Sequence, residues 1–302
     1  VRHPVINQYD RKKRHDRKTE VNSFSPLRKI QSTNKVAEEI SLLMLQSTLI
    51  EAAQAGAAEI LRYFHGEFRI DNKEGVNNLV TEADHASEKA ILAVIRSAYP
   101  DHMILAEESG STDRTDEFKW IVDPIDGTVN FAHGIPLNAV SIGIEKNGEL
   151  IMGVVYNPHL KELFFAEKGK GAFLNDRRIQ VSSETNAAKA CLVTGFPYVY
   201  IDQPNGPLDV FARFVKKGVP VRRIGSAAID LCWVAAGRFD GFYEHKLEPW
   251  DSAAGALMVT EAGGTITNHQ GEAFTIYEHP VLASNGHIHD QLVGVLNNTH
   301  QL

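Results

Sequence analysis

Carboxylates are the residues of this chain whose spacing could do chemistry. The segment Trp120-Ile121-Val122-Asp123-Pro124-Ile125-Asp126-Gly127-Thr128-Val129-Asn130-Phe131 runs an apolar stretch into two aspartates that bracket Pro124 and Ile125. Pro124 fixes its own φ and biases Asp123 toward an extended backbone. Asp123 and Asp126 can then aim into one space, with the Ile125 carbonyl as a third hard oxygen, a set suited to a hard cation. Gly127 and Thr128 follow with backbone N–H groups at a helix start, which suits a phosphate. The plainer reading of the same residues is a D-G turn with capping aspartates.

Three more acidic segments stand beside this one. Leu105-Ala106-Glu107-Glu108-Ser109-Gly110 puts two carboxylates directly after a short apolar run, where a solvated loop is the alternative, above all for Glu108. Glu248-Pro249-Trp250-Asp251-Ser252-Ala253-Ala254-Gly255 places Asp251 at the start of an alanine-rich helix, as a cap, a ligand or both. Asn78-Leu79-Val80-Thr81-Glu82-Ala83-Asp84 places Asp84 at another helix start, again with an N-cap alternative. No H-E-x-x-H spacing occurs among the thirteen histidines, which read as surface or structural groups.

The elements that must position these groups alternate in type. Leu42, Leu45, Leu49, Ala53, Ala57, Ile60 and Phe64 recur at helical spacing, and polar residues interrupt Ile40 to Leu61 too often for a membrane span. Helices are expected at 83–98, 208–217, 226–236 and 251–262, the last two followed by Gly237 and by Gly263-Gly264. Met103 to Ala106, Trp120 to Val122, Leu163 to Glu167 and Ala190 to Thr194 read as strands. Ala139 to Glu145 and Leu150 to Tyr156 flank Asn147-Gly148, a hairpin signal. The mixture predicts an α/β or α+β fold with layered sheets.

Charge divides the chain. Residues 1–35 carry net +7 and the remaining 267 residues net −14, out of a total of −7. The acidic body argues against a general nucleic-acid binder there. Residues 1–38, with Arg11-Lys12-Lys13-Arg14 and Arg17-Lys18 among polar residues, read as a disordered arm, a nucleic-acid or membrane-surface tether being the alternative. A transit peptide fits poorly, because Lys12, Lys13 and early acids are present. Met44 comes just before the pattern becomes regular, so the working protein is expected to begin near it. The domain reading is therefore a basic arm at 1–43 and one catalytic domain at 44–302, with subdomains at about 44–187 and 188–302. Cys191 and Cys232 make no C-x-x-C pair, which points to a reducing compartment and away from a cysteine zinc site.

Taken together, L-V-T-x-x-D, A-E-E-S, D-P-I-D-G-T-x-N-F, and W-D-x-A-A-G with E-A-G-G occur here in the order that resembles the inositol monophosphatase family, over some 250 residues from about Leu45. The resemblance implies a layered αβαβα sandwich of the inositol monophosphatase and fructose-1,6-bisphosphatase type. It also implies a cytoplasmic homodimer, Mg²⁺-dependent hydrolysis of a small phosphate monoester, and lithium sensitivity. By motif, Glu107, Asp123 and the Ile125 carbonyl would hold a first Mg²⁺, and Asp123, Asp126 and Asp251 a second, with Glu107 helping a weaker third. Thr128 and Asp84 would orient and deprotonate the attacking water, and the Gly127 and Thr128 amides would hold the phosphate. Glu244 matches a glutamate that binds ring hydroxyls, with a strand-end surface acid as the alternative. Ser226 and Ala227 in Gly225-Ser226-Ala227 match the helix start near the inositol, and Lys73 a loop lysine near the metals.

Two positions depart from the family pattern: Asn78 stands in place of an aspartate, and Val129 in place of a second threonine. Thr194-Gly195-Phe196-Pro197-Tyr198 resembles bacterial members. The expected reaction is hydrolysis of inositol-1-phosphate, with no membrane partner. Its rivals on the same fold are fructose-1,6-bisphosphatase, histidinol-phosphatase and 3′-phosphoadenosine-5′-phosphate phosphatase. A rival of a different class is a regulatory nucleic-acid binder that uses the basic arm.

Overall fold

The computed structural model describes residues 26–64, 66, 69–72, 79–112, 114–197 and 204–299, so Lys73, Asn78, Tyr198 and residues 1–25 of the arm lie outside the described residues. The chain divides into two units, Val1–Leu43 and Met44–Leu302. Helix α1 spans Pro26–Tyr63, so residues 26–43 are helical where an unstructured arm was expected. The run from Ile30 to Leu45 contains no glycine or proline, and nothing in it stops a helix from propagating.

Within Met44–Leu302, α1 buries Leu45, Leu49, Ala53, Ala57 and Ile60 as its spacing predicts. A short hairpin of β1 (Ile70–Asn72) and β2 (Leu79–Thr81) leads into α2 (Glu82–Ala98). The first large sheet follows: β3 (Met103–Ala106), β4 (Gly110–Ser111), β5 (Phe118–Asp126), β6 (Ala139–Lys146), β7 (Glu149–Asn157), β8 (Glu162–Glu167), β9 (Gly171–Leu174) and β10 (Arg177–Arg178), with α3 (Thr128–Ala132) after β5. Its strand order is β10-β9-β8-β7-β6-β5-β3-β4, and only β3 and β5 pair in parallel. The Asn147-Gly148 hairpin forms as expected, with both residues at positive φ (53° and 82°), the requirement of a type I′ turn.

The second sheet contains β11 (Leu192–Thr194), β12 (Val221–Arg222), β13 (Gly241–Glu244), β14 (Thr265–Thr267) and β15 (Val281–Ser284) in the order β12-β11-β13-β15-β14. Helices α4 (Pro207–Lys216), α5 (Ala227–Ala235), α6 (Pro249–Glu261) and α7 (His289–Leu296) complete the unit.

Packing arranges these elements in five layers. One face of the large sheet meets α2, whose Ser87 Oγ donates to Pro124 O on β5 at 2.9 Å. Gly56 of α1 has no room for a side chain, because a Cβ there would meet Ile91 of α2 at 2.7 Å. The other face receives α6 at Gly143 and Gly153, where a Cβ would run into Ala253 and Ala254. Helices α5 and α6 form the middle layer, with Leu231 and Met258 packed in one core with Val155 and Phe164 of the large sheet and Phe242 and Ala283 of the small one. On the far side, Val210 and Phe214 of α4 and Leu292 of α7 pack against Leu192, Tyr243 and Leu282. This is the αβαβα order that the family resemblance implied. Among the described residues, no helix is long and apolar enough to cross a membrane.

Candidate active site

The strand β5 runs through the aspartate motif and ends at Asp126, whereas the sequence suggested a strand that stops at Val122. Residues three apart on a regular strand face opposite sides of the sheet. Here the register against β6 shifts between Asp123 (opposite Ser141) and Asp126 (opposite Ala139), which inserts one extra residue on β5. A bulge of this kind restores a common side for Asp123 and Asp126 and tolerates Pro124, which has no N–H for the ladder. Asp123 Oδ1 accepts from Ile125 N at 3.0 Å, which braces the bulge from within.

Asp84, Asp126 and Asp251 are each set by a helix start. Asp84 and Asp251 are not N-caps, the plainer alternative that the sequence left open for them. They stand three residues later, with Thr81 and Glu248 as caps, and each closes a capping box. Asp84 Oδ2 accepts from Thr81 N at 2.7 Å and Thr81 Oγ1 at 2.6 Å. Asp251 Oδ2 accepts from Glu248 N at 2.7 Å. Asp126 lies at the start of α5, where its Oδ2 accepts from Ser226 Oγ (2.5 Å) and Ala228 N (2.7 Å), and its Oδ1 from Ala227 N (3.2 Å). Helix N-termini favour negative charge, and three of them carry these acids.

Asp123, Asp126 and Asp251 each bring an oxygen to a cluster whose atoms all lie within 4.8 Å of one another. Asp123 is 2% exposed and Asp126 8% exposed, and no Lys or Arg pairs with any of the three among the described residues. Burial, reinforced by the charges of Glu107, Asp126 and Asp251, pushes Asp123 well above the usual carboxylate range. Burial does the same to Asp251, with the charges of Asp126 and Glu107 adding to it. Asp126 rises only to about 6, because its hydrogen bonds from Ser226, Ala228 and Ala227 oppose its burial. Buried like charges without a counter-ion repel strongly. Oxygen-only donors held this close fit a hard divalent cation, and a cation would relieve that repulsion. Glu107, whose amide donates to Val122 O at 3.1 Å, lines the same cavity and lies within hydrogen-bond reach of Asp123. Glu108 is not among the residues that line this cavity, and its amide donates to Glu88 Oε2 at 2.9 Å.

Thr128 Oγ1 lies 3.2 Å from Asp84 Oδ1 and 3.1 Å from Ile125 O, and with one hydrogen it donates to one of them at a time. Gly127 adopts a left-handed conformation (φ 95°), and a Cβ there would meet Leu137 O at 2.9 Å and Gly225 O at 3.1 Å. Asn130 holds the facing loop by donating to Leu137 O (2.7 Å) and Ile224 O (2.9 Å).

Glu107, Asp123, Ile125, Asp126, Gly127, Thr128 and Asp251 line one cavity of ≈ 480 Å³, together with Glu244, Asp230, Arg223, Lys246, Trp250 and the Gly195–Pro197 turn. Ser226 and Ala227 line it too, but their polar groups are spent on Asp126. Glu244 ends β13 and faces back toward α5, since Tyr243 before it packs on the α4 side. Gly195 lies under its carboxyl group, where any Cβ would collide with it. Burial and the charge of Asp126 push Glu244 up to about 8 against the opposing pull of Arg223. Arg223 and Asp230 were not singled out from the sequence. A helical spacing of four from Ser226 would have flagged Asp230.

Residues 42–301 match the Inositol monophosphatase family. The chain is 44% identical over 252 residues to an inositol-1-monophosphatase of Synechocystis sp., covering 83% of this chain and 88% of that protein. It is 40% identical over 227 residues (75% of this chain, 87% of the relative) to a putative Nus factor SuhB of Neisseria meningitidis serogroup B. The solved structure of an inositol monophosphatase from Anabaena (Nostoc) sp. PCC 7120 superposes with a TM-score of 0.77 at 39% identity, over 87% of this chain and 98% of that one. The four motifs, the layer order and these matches agree, and the chain belongs to the inositol monophosphatase family of phosphoric monoester hydrolases.

Proposed function

We propose that the protein hydrolyses inositol-1-phosphate to inositol and phosphate with Mg²⁺ as cofactor. The observation that carries this reading is one cavity lined both by the clustered carboxylates Asp123, Asp126 and Asp251 and by the buried carboxyl of Glu244. On this reading Glu107, Asp123 and the Ile125 carbonyl hold one ion, Asp123, Asp126 and Asp251 a second, and Glu107 helps a third. Bound Mg²⁺ supplies polarisation of the phosphoryl oxygens, a more acidic water and charge neutralisation at the leaving oxygen. The chain's own residues do the rest. Thr128 Oγ1 accepts the proton of the attacking water while passing its own to Asp84, the acceptor 3.2 Å away. The Gly127 and Thr128 amides hold the phosphate. Glu244 orients the ring through its hydroxyls, and Ser226 and Ala227 act by fixing Asp126. The catalytic unit is residues 44–302, a cytoplasmic, lithium-sensitive homodimer.

Phosphate release with and without Mg²⁺ from inositol-1-phosphate, fructose-1,6-bisphosphate, histidinol phosphate and 3′-phosphoadenosine-5′-phosphate tests it. A rival favoured more than about tenfold in kcat/KM would overturn the substrate assignment. A second reading rests on the relative named as a putative Nus factor and on the +7 of residues 1–35. It expects salt-dependent RNA binding that disappears when residues 1–38 are deleted, and unchanged binding removes it.

A further inference from the structure

Asp230 is a carboxyl of the cavity to which neither the fold nor the cation site gives a role. It lies four residues after the cap Ser226, on the helix face that clamps Asp126, and its own amide donates to Ser226 O at 3.0 Å as in any helix. Its side chain is 1% exposed, and it lines the cavity. Its Oδ1 accepts no hydrogen bond. Asp230 is not part of the Asp123, Asp126 and Asp251 cluster. Among the charges acting on it, Asp126 and then Glu244 repel its anion and Arg223 attracts it, and all three line the same cavity. An acid in the first turn of a helix is favourable where water reaches it. A carboxyl withdrawn from water with an unmade hydrogen bond costs more than that benefit. Folding alone therefore gives no reason for an acid here, whereas a ligand that brings hydrogen-bond donors into the cavity does.

We propose that Asp230 is a second hydroxyl-binding carboxyl of the substrate site, acting beside Glu244 on the alcohol portion of the phosphate ester. The substrate class that follows is a phosphate ester of a polyol with several free hydroxyls, because two acids each need donors. The proposal rests on the reading of this cavity as a phosphatase site.

The test compares the wild-type full chain with Asp230→Leu and Asp230→Asn in Mg²⁺, using inositol-1-phosphate and phenyl phosphate, which has no hydroxyl to offer. The ratio of kcat/KM for the first ester over the second should fall about tenfold or more in the leucine variant, mainly through KM. The isosteric asparagine variant should show a smaller fall in the same direction and carries the test should leucine not fold. Without cation or substrate, the melting temperature of the leucine variant should rise, because a buried group with an unmade bond is gone. An unchanged ratio overturns the proposal, as does a lowered melting temperature with parallel loss on both esters. If the wild-type protein hydrolyses neither ester, the phosphatase reading itself has failed, and that outcome is visible before any variant is made.

Discussion

The acids in and behind the cavity fall into two groups that are built differently. Asp84, Asp126 and Asp251 each accept backbone N–H bonds at a helix start, and Asp123 is braced by the amide of Ile125 two residues on. Their positions are fixed before any ligand arrives, and the repulsion among Asp123, Asp126 and Asp251 is borne by the fold. Glu244 and Asp230 are as deeply buried, but Asp230 Oδ1 has no partner and Glu244 is set by β13 and the bare backbone of Gly195. In the first group Asp123, Asp126 and Asp251 form a rigid set of oxygen donors that fits a cation. The second is a pair of buried acids, one of them with an unmade hydrogen bond, whose partners on our proposal come with the substrate.

Removing a member of the first group should have the largest effect. Asp123→Asn should lower kcat by about 10³-fold or more, because Asp123 is shared by both proposed ion sites, while circular dichroism shows a native fold. Its cation-free melting temperature should rise, since one buried like charge is gone. Near-normal turnover would remove Asp123 from the chemistry and erase the contrast. Next, Thr128→Val keeps the size of the side chain but removes the hydroxyl between Asp84 and the water, and should lower kcat by about 10²- to 10⁴-fold with KM little changed. A loss confined to KM would move Thr128 from the reaction to substrate binding. Glu244→Leu should instead raise KM for a polyol phosphate about tenfold and lower kcat less. Equal losses in kcat from Glu244 and Thr128 would mean the two groups are not separable.

The same contrast explains what was legible in the sequence. The first group lies on contiguous motifs, because a helix start or a bulge is a local device: Asp123 and Asp126 are three residues apart, and Asp84 and Asp251 each close a box with a cap three residues earlier. The bulge itself was not legible, since the register shift depends on pairing with β6, and β5 therefore runs further than its apolar core suggested. The second group depends on tertiary placement. Asp230 reads as an ordinary first-turn acid until α5 is laid against β13, and Arg223 reads as one of two adjacent surface arginines. Short strands such as β12 and β14 escaped for a related reason, as two or three residues carry no usable alternation. Helix α1 was read too short because its polar first half carries no apolar stripe.

The smallest effect separates the two groups by pH. Asp126, with its pKa at about 6, and Glu244, at about 8, both lie above the ordinary carboxylate range in the folded chain. Between the ordinary and the raised value the folded chain binds more protons than the unfolded one, so stability falls as pH rises through that window. For Asp126 the window closes near pH 6, and for Glu244 near pH 8. On the proposed assignment a divalent cation would replace the proton on Asp126 and leave Glu244 alone. The rise in melting temperature on adding Mg²⁺ should therefore grow from pH 5 to pH 7. The rise on making Glu244→Gln should keep growing from pH 5 to pH 8 and reach roughly 3 °C or more there, in Mg²⁺ and without it. Thermal melts at four pH values with and without the ion decide the matter. If Mg²⁺ abolishes the Glu244→Gln difference, Glu244 belongs to the cation site and the cavity has one group of acids.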